Sequence, residues 1–185
     1  MKVLGINGSG RVDGNTAALV RGILEGAAES GADTELIQLA DWTVNFCNVC
    51  KKCKDPHRCV IPDDMQKFYD LAPHADVLVL ASPIYLDHIT ANLMAFIQRT
   101  YCYIGRALEN YWPRENVRAV LGITYGASGR HEYDDVNDWL AERLDFYFKI
   151  PTLEKFVIHA TSHDRIIRPD HAVVRTARAF GRSLR

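Results

Sequence analysis

The segment "FCNVCKKCKDPHRCVIPDD", Phe46 to Asp64, holds four of the chain's five cysteines: Cys47, Cys50, Cys53 and Cys59, spaced C-x2-C-x2-C-x5-C. Thiolates are nucleophiles, redox groups and metal ligands. Three sulfurs at successive gaps of three residues can converge on one centre from a tight loop, and Cys59 can add a fourth ligand locally. Three chemistries stay open to such a set: an iron-sulfur cluster, zinc, and thiols that remain reduced or pair as disulfides. Zinc sites usually combine two separate cysteine knuckles, which is not this spacing, although His57 could stand in as a ligand. Lys51, Lys52, Lys54 and Arg58 surround the sulfurs and would offset the charge of a thiolate-ligated group or lower the pKa of free thiols. The plainer reading of those cations is a solvated loop. Cys102, in "TYCYIG", has aromatic and apolar neighbours and reads as a small buried hydrophobe on a helix.

A second candidate is "GSGRVDGNT", Gly8 to Thr16, between a strand-like run and a helical one. A helix N-terminus offers unpaired N–H groups and the positive end of the dipole, which suits a phosphate. Ser9 and Thr16 bring hydroxyls, Asn15 an amide and Arg11 a charge, while Gly8, Gly10 and Gly14 let the backbone bend around an anion. The spacing of Gly5, Gly8 and Gly10 is not the dinucleotide G-x-G-x-x-G, so a mononucleotide phosphate fits better. The alternative is a glycine turn whose Asn15 or Thr16 only caps the helix. Further along, "SPIY" presents Tyr85, which can stack on a flat heterocycle or pack on a neighbouring helix.

Positioning these groups requires a scaffold, and the apolar pattern supplies one. "KVLGIN", "TELIQL", "DVLVLAS", "VRAVLGITYG" and "TLEKFVIHA" read as five strands alternating with five helical segments, the last from about Pro169. Parallel strands need long crossovers, which are usually helices, so the expectation is an α/β, flavodoxin-like, doubly wound five-stranded parallel sheet with helices on both faces. Ligands in such sheets sit beyond the carboxyl ends of the strands, which directs attention to the loops after "GIN", "VLAS" and "GITYG". The 185 residues fit one domain spanning 1–185, with a cysteine-rich loop at about 41–62 as the single long break in the rhythm. A core of that size needs no disulfide framework, so the cysteines require a chemical reason.

Net charge is -1, from 22 basic and 23 acidic residues, which gives no field for a polyanion and argues against nucleic acid. No apolar run is long enough for a membrane span, and the first residues lack a secretory-signal pattern, so a cytoplasmic protein is expected. Asp134 and Asp135 are expected to open a helix, with His131 and Glu132 near a candidate ligand. Trp139, Leu140, Leu144 and Tyr147 repeat at helical spacing as core. Arg175, Arg178, Arg182 and Arg185 share a helical face that is either solvated or a docking patch for an acidic carrier. No hydrolase triad or carboxylate pair stands out.

"GINGSGRVDGNT" followed by "SPIYLDHITANLMAFIQR" resembles the NADPH-dependent FMN reductase family of flavodoxin-like flavoproteins over roughly the first hundred residues. The resemblance implies FMN, with Ser9, Arg11, Asn15 and Thr16 at the phosphate and Pro83, Ile84, Tyr85 and Leu86 against the ring. It also implies that Thr124, Tyr125 and Gly126, within "TYGASG", close over the flavin. The compact cysteine run, extended by "CVIPDDM", resembles that of the iron-sulfur flavoproteins within this family. That likeness implies a 4Fe-4S cluster on Cys47, Cys50, Cys53 and Cys59, no covalent catalytic residue, a ferredoxin-like electron carrier, a small-molecule acceptor and a homodimer or homotetramer. The alternative is an NAD(P)H-dependent flavin or quinone reductase without a cluster. Met94 and Gln98 depart from the family's usual Lys and Asp, while Arg99 is kept.

Overall fold

The computed structural model describes residues 1–105, 107–127, 129–161, 167 and 170–185. Ser128, in the loop expected to close over the flavin, and Pro169, expected near the start of the last helix, lie outside the described residues. The elements run β1 (Lys2–Asn7), α1 (Asn15–Glu29), β2 (Asp33–Gln38), α2 (Met65–Leu71), β3 (Val77–Tyr85), β4 (His88–Ile89), α3 (Ala91–Arg99), β5 (Arg118–Thr124), α4 (Asp134–Phe148), β6 (Thr152–Ile158) and α5 (Ala172–Ser183). The parallel strands lie in the order β2-β1-β3-β5-β6, which is the flavodoxin-like winding expected from the alternation. β1 and β3 are consecutive in the sheet but wound in opposite directions, so a crevice opens beyond their carboxyl ends.

The strands at the centre of the sheet are apolar along their length because both faces are covered. Leu4, Ile6, Leu78, Leu80 and Leu121 pack with Phe68, Leu93, Phe96 and Leu140 from α2, α3 and α4. Val3, Val77, Val79 and Val120 pack on the other face with Leu19, Val20 and Ile23 of α1 and Val174 and Ala177 of α5. Gly5 permits this second contact, since a Cβ there would sit 2.5 Å from a Val20 methyl.

The helical period of "DDMQKFYDLAPHA" and "TANLMAFIQRTYCYIG" predicts two continuous helices, and both expectations are corrected. "TANLMAFIQRTYCYIG" is α3 only to Arg99, followed by a 3-10 turn, Thr100–Tyr103, that carries the buried Cys102. α2 likewise gives way to a 3-10 turn at Ala72–His74, where Pro73 cannot continue the α-helical bonding. The added element is β4, which returns antiparallel on β3 with Tyr85 opposite His88. Leu86 and Asp87 form the turn at φ 48° and 61°, the two left-handed positions of a tight hairpin that Asn-Gly usually fills. Nothing in the local sequence announces it.

The core reading holds for Leu140 and Leu144; Trp139 and Tyr147 are half-buried and line an apolar hollow of about 650 Å³ beside Cys47. The arginine face of α5 is largely engaged within the chain. Arg178 pairs with Glu25 and Glu29 of α1, and Arg182 with Glu29 at 2.8 Å. No helix among the described residues is long and apolar enough to cross a membrane.

Candidate functional site

Three loops meet at the carboxyl edge of the sheet, because β1, β3 and β5 are neighbours there. The first is tied down by its own polar groups. Asn7 Oδ1 accepts from Ser9 N at 3.1 Å, and Ser9 Oγ accepts from Arg11 N at 3.0 Å. Thr90, the N-cap of α3, donates its hydroxyl to the Gly8 carbonyl at 2.7 Å, while Gly8 N donates to Ala81 O at 2.8 Å. Gly8 has no room for a side chain, since its Cβ would lie 2.9 Å from Leu93 Cβ and 3.0 Å from the Ala81 oxygen.

Gly14 caps α1 without a side chain, so the positive end of the helix dipole is presented to solvent and to the loop. Thr16 is buried, its hydroxyl 2.8 Å from that of Thr124 at the end of β5. Asn15 Oδ1 accepts from Ile167 N at 2.7 Å, so this amide is spent partly on fixing a distant loop. Ser9 is buried beside the loop and Arg11 is exposed.

Ser9, Arg11, Asn15, Thr16, Pro83, Ile84, Tyr85, Thr124, Tyr125 and Gly126 line one open cleft of about 230 Å³. Leu86 stands apart: it is fully exposed at the hairpin tip and outside the lining. Gly14 and Thr161 complete the wall. Thr161 was missed by the sequence reading, yet it follows β6, and the same rule about loops beyond strand ends would have found it. It holds the third loop, donating both its hydroxyl and its N–H to the Tyr125 carbonyl, at 3.0 and 3.2 Å. Tyr125 also packs edge-on against Tyr133, whose hydroxyl donates to Asp87 at 2.9 Å and thereby braces the β3–β4 hairpin. Burial, with the Asp134 carboxylate adding to it, raises the Tyr125 phenol above its usual range. Asp134 and Asp135 do open α4, and His131 is paired with Asp134 at 2.6 Å.

The four clustered cysteines line a second cavity, of about 480 Å³, with Lys51, Lys54 and Tyr101. Each interval between successive cysteines holds one residue in the left-handed region: Val49 at φ 54°, Lys51 at 61° and His57 at 61°. That conformation is unfavourable for a side chain and most of all for a β-branched one, so the surrounding structure must enforce it. The effect is to reverse the chain repeatedly and return the sulfurs to one cavity. Cys53 and Cys59 are each only 8% exposed, whereas Cys50 is exposed. Among the described residues, no group of three His, Cys, Asp or Glu side chains is disposed to hold a single metal ion.

The basic residues divide. Lys54 Nζ donates to the Tyr101 carbonyl at 2.9 Å and lies 3.4 Å from the Tyr101 ring centre, at the cavity wall. Arg58 is turned away to α2, donating to Gln66 and pairing with Asp70 at 2.6 Å. Its expected role beside the sulfurs is corrected: the carboxylate on α2 outcompetes them. Burial raises the Cys53 thiol and outweighs the opposing charge of Lys54.

The stems of this loop are fixed by a buried ion pair that the sequence reading did not identify. Arg99 donates from both terminal nitrogens to Asp63, at 2.6 and 3.1 Å, and from one of them to the Asn45 carbonyl at 2.8 Å. Their side chains are 0% and 1% exposed. Burial opposes the charge on each, but the mutual hydrogen bonds prevail: the Asp63 carboxyl is held below its ordinary range and the Arg99 guanidinium above its own. Removing one partner of such a pair typically costs about 3–5 kcal/mol, because the other stays charged and unpaired.

Comparison with known proteins agrees with this geometry. Residues 1–162 match the model of the NADPH-dependent FMN reductase family. An iron-sulfur flavoprotein of Methanocaldococcus jannaschii is 42% identical over 111 residues, covering 60% of this chain and 58% of that protein. One of Methanosarcina thermophila is 30% identical over 142 residues, covering 76% and 73%. The matched region thus spans less than three fifths of the first relative's length. Among solved structures, an NAD(P)H:quinone oxidoreductase from Methanothermobacter marburgensis superposes with a TM-score of 0.75 at 14% identity, covering 100% of this chain and 99% of that one. An FMN-dependent NADH-azoreductase from Bacillus anthracis gives 0.65 at 16%, covering 99% and 97%. These structures share the fold. The chain belongs to the NADPH-dependent FMN reductase family, and the relatives it matches there are iron-sulfur flavoproteins.

Proposed function

We propose that the protein is an FMN-dependent oxidoreductase of the iron-sulfur flavoprotein type, moving electrons between a redox carrier and a small acceptor. The observation that carries this reading is the presence, on one chain, of a phosphate-type cleft at the sheet's switch point and a cavity lined by four cysteines. The residues suit the two groups. Arg11, the hydroxyls of Ser9 and Thr16 and the N-terminus of α1 would hold a phosphate, and Pro83, Ile84 and Tyr85 offer a flat edge with one ring for an isoalloxazine. Four cysteines on one cavity, in a C-x2-C-x2-C-x5-C run rather than two separate knuckles, suit a cuboidal cluster better than zinc. When bound, FMN supplies one- or two-electron chemistry and a 4Fe-4S cluster one-electron chemistry. The chain's own part is to hold the ring edge at Tyr85, to fix the third loop through Thr161 and to gather the four sulfurs on one cavity, two of them, Cys53 and Cys59, buried. No side chain is required as a covalent catalyst.

The carrier would be ferredoxin-like, and association of copies as a homodimer or homotetramer is supported by the apolar hollow lined by Met94, Ile97, Tyr101, Trp139 and Tyr147. A second reading, an NAD(P)H-dependent flavin or quinone reductase without a cluster, is favoured by the open rim of the cleft, where Tyr85 is half exposed and a nicotinamide could approach.

An anaerobic visible spectrum of the purified protein, with iron, sulfide and FMN assays, separates the two. The expected result is flavin bands over a broad brown absorbance with about four irons per chain. Flavin without iron after anaerobic reconstitution would remove the cluster, and anaerobic reduction of that flavin by NADPH would then support the second reading. Arg11→Ala tests the phosphate end. Arg11 is exposed, so stability should hold, while the Kd for FMN rises about 10- to 150-fold, since a hydrogen bond to a charged group contributes about 1.5–3 kcal/mol. Fluorescence titration of the apoprotein measures it, and an unchanged Kd removes Arg11 from the site.

A further inference from the structure

The cysteine loop leaves the fold at Asn45 and rejoins it at Asp63, and both points are gripped by one side chain, Arg99 of α3. Asp63 is in turn the hub of the loop's base. Its Oδ2 accepts from Asn45 N at 2.9 Å and Asn45 Nδ2 at 3.2 Å, and its Oδ1 accepts from Met65 N at 3.2 Å. Asp64 adds a parallel link by accepting from Thr43 N at 2.7 Å. From α2, Gln66 Nε2 donates to the carbonyls of Cys59 and Ile61, both at 2.8 Å. On the far side, Tyr69 donates its hydroxyl to the Arg99 carbonyl at 3.0 Å, so the end of α3 that carries the guanidinium is itself held. Between these anchored stems the chain passes through three left-handed, non-glycine residues, a path that relaxes unless its ends are fixed. Arg99 Nε is buried and without a partner among the described residues. A polar atom is thus left unpaired inside the core while the two terminal nitrogens grip the loop.

We propose that the Asp63–Arg99 pair is the positioning element of the cysteine cavity, fastening both stems of the loop to α3 so that the four sulfurs enclose one space before any metal arrives. This rests on the reading of Cys47, Cys50, Cys53 and Cys59 as cluster ligands. Both residues act through the backbone of the loop and line neither cavity. The planar fork of arginine reaches Asp63 twice and Asn45 once, which an ammonium cannot reproduce, so lysine is not an equivalent.

The test uses protein purified anaerobically with its bound groups: the wild type, Asp63→Asn, Arg99→Lys, and the neutral hydrogen-bonding double variant Asp63→Asn/Arg99→Gln, which avoids an unpaired buried charge. Iron release to a ferrous chelator, FMN content, circular dichroism, and iodoacetamide labelling of each cysteine located by mass spectrometry are read together. The expected result is FMN content and dichroism like those of the wild type, with iron released at least tenfold faster from Arg99→Lys and Asp63→Asn. Labelling of Cys53 and Cys59 should rise at least tenfold in parallel, and the double variant should recover part of both. Iron release and labelling like those of the wild type would overturn the proposal. So would loss of FMN and dichroism in step with iron in the double variant, which would make the pair a support of the whole fold. Absence of iron from the wild type would instead remove the cluster reading, and the labelling of Cys53 and Cys59 in the apoprotein then decides the proposal alone.

Discussion

On the proposed iron-sulfur reading, Cys59→Ala is expected to yield a yellow protein: full FMN, with iron and sulfide falling from about four per chain to near zero. Cys59 is the isolated member of the spacing, and no further cysteine lies in the loop. Its carbonyl is pinned by Gln66 at 2.8 Å, and its side chain is nearly buried at the cavity, so removing the thiol does not free the loop to bring another sulfur in. Cys102→Ala is the matched control. Its thiol is buried outside the cavity lining, its Sγ lies 3.6 Å from the Arg99 carbonyl, and burial pushes its pKa up to about 12, well away from thiolate chemistry. Iron content should be unchanged in that variant. Full iron in Cys59→Ala, or selective iron loss in Cys102→Ala with flavin retained, would sink the assignment of the four ligands. Because FMN is measured in the same samples, general unfolding is separated from loss of the cluster.

The second large effect concerns stability. Gly26→Ala and Gly181→Ala are each expected to lower Tm by roughly 6–12 °C, from about 3 kcal/mol at 2–4 °C per kcal/mol for a chain of this size. Local propensity gives the opposite sign, since alanine is favoured over glycine in a helix by roughly 1 kcal/mol. Tertiary packing decides. A Cβ on Gly26 would sit 2.0 Å from the Arg178 carbonyl oxygen, and one on Gly181 would sit 2.1 Å from that of Ile23. Both obstacles are backbone, so no rotamer change relieves them, and α1 and α5 must separate along an interface that also buries Ile23, Ala27 and Ala177. The ion pairs joining Glu29 to Arg178 and Arg182 would be stretched at the same time, although exposed pairs of this kind contribute little. Thermal unfolding with FMN at saturation measures the effect. A Tm equal to or above that of the wild type in both variants would show that propensity outweighs this close approach.

Much of this was legible in the chain. The five parallel strands, the helices between them and the three loops beyond β1, β3 and β5 follow from apolar periodicity, which is a local property written every two or three to four residues. The association of Ser9, Arg11 and Thr16 with one turn, and of four cysteines with one loop, is likewise local. What local spacing does not carry is pairing across distance. The hydroxyl contact between Thr16 and Thr124 spans 108 positions, the Asp63–Arg99 pair spans 36, and Arg178 finds Glu29 across 149. The same gap explains the misplaced details. Arg58 was read by its neighbours in sequence, but in the fold Asp70 is nearer in energy than the sulfurs, and Leu86 follows Tyr85 in the chain while the β3–β4 hairpin carries it out of the cleft. The sequence by itself determined the sheet, its winding and the two clusters of reactive groups, because each is encoded by neighbouring residues. Only the tertiary structure decided which of those groups face one cleft, which carboxylate each cation meets and how closely α1 and α5 approach, because these are set by the packing of segments far apart along the chain.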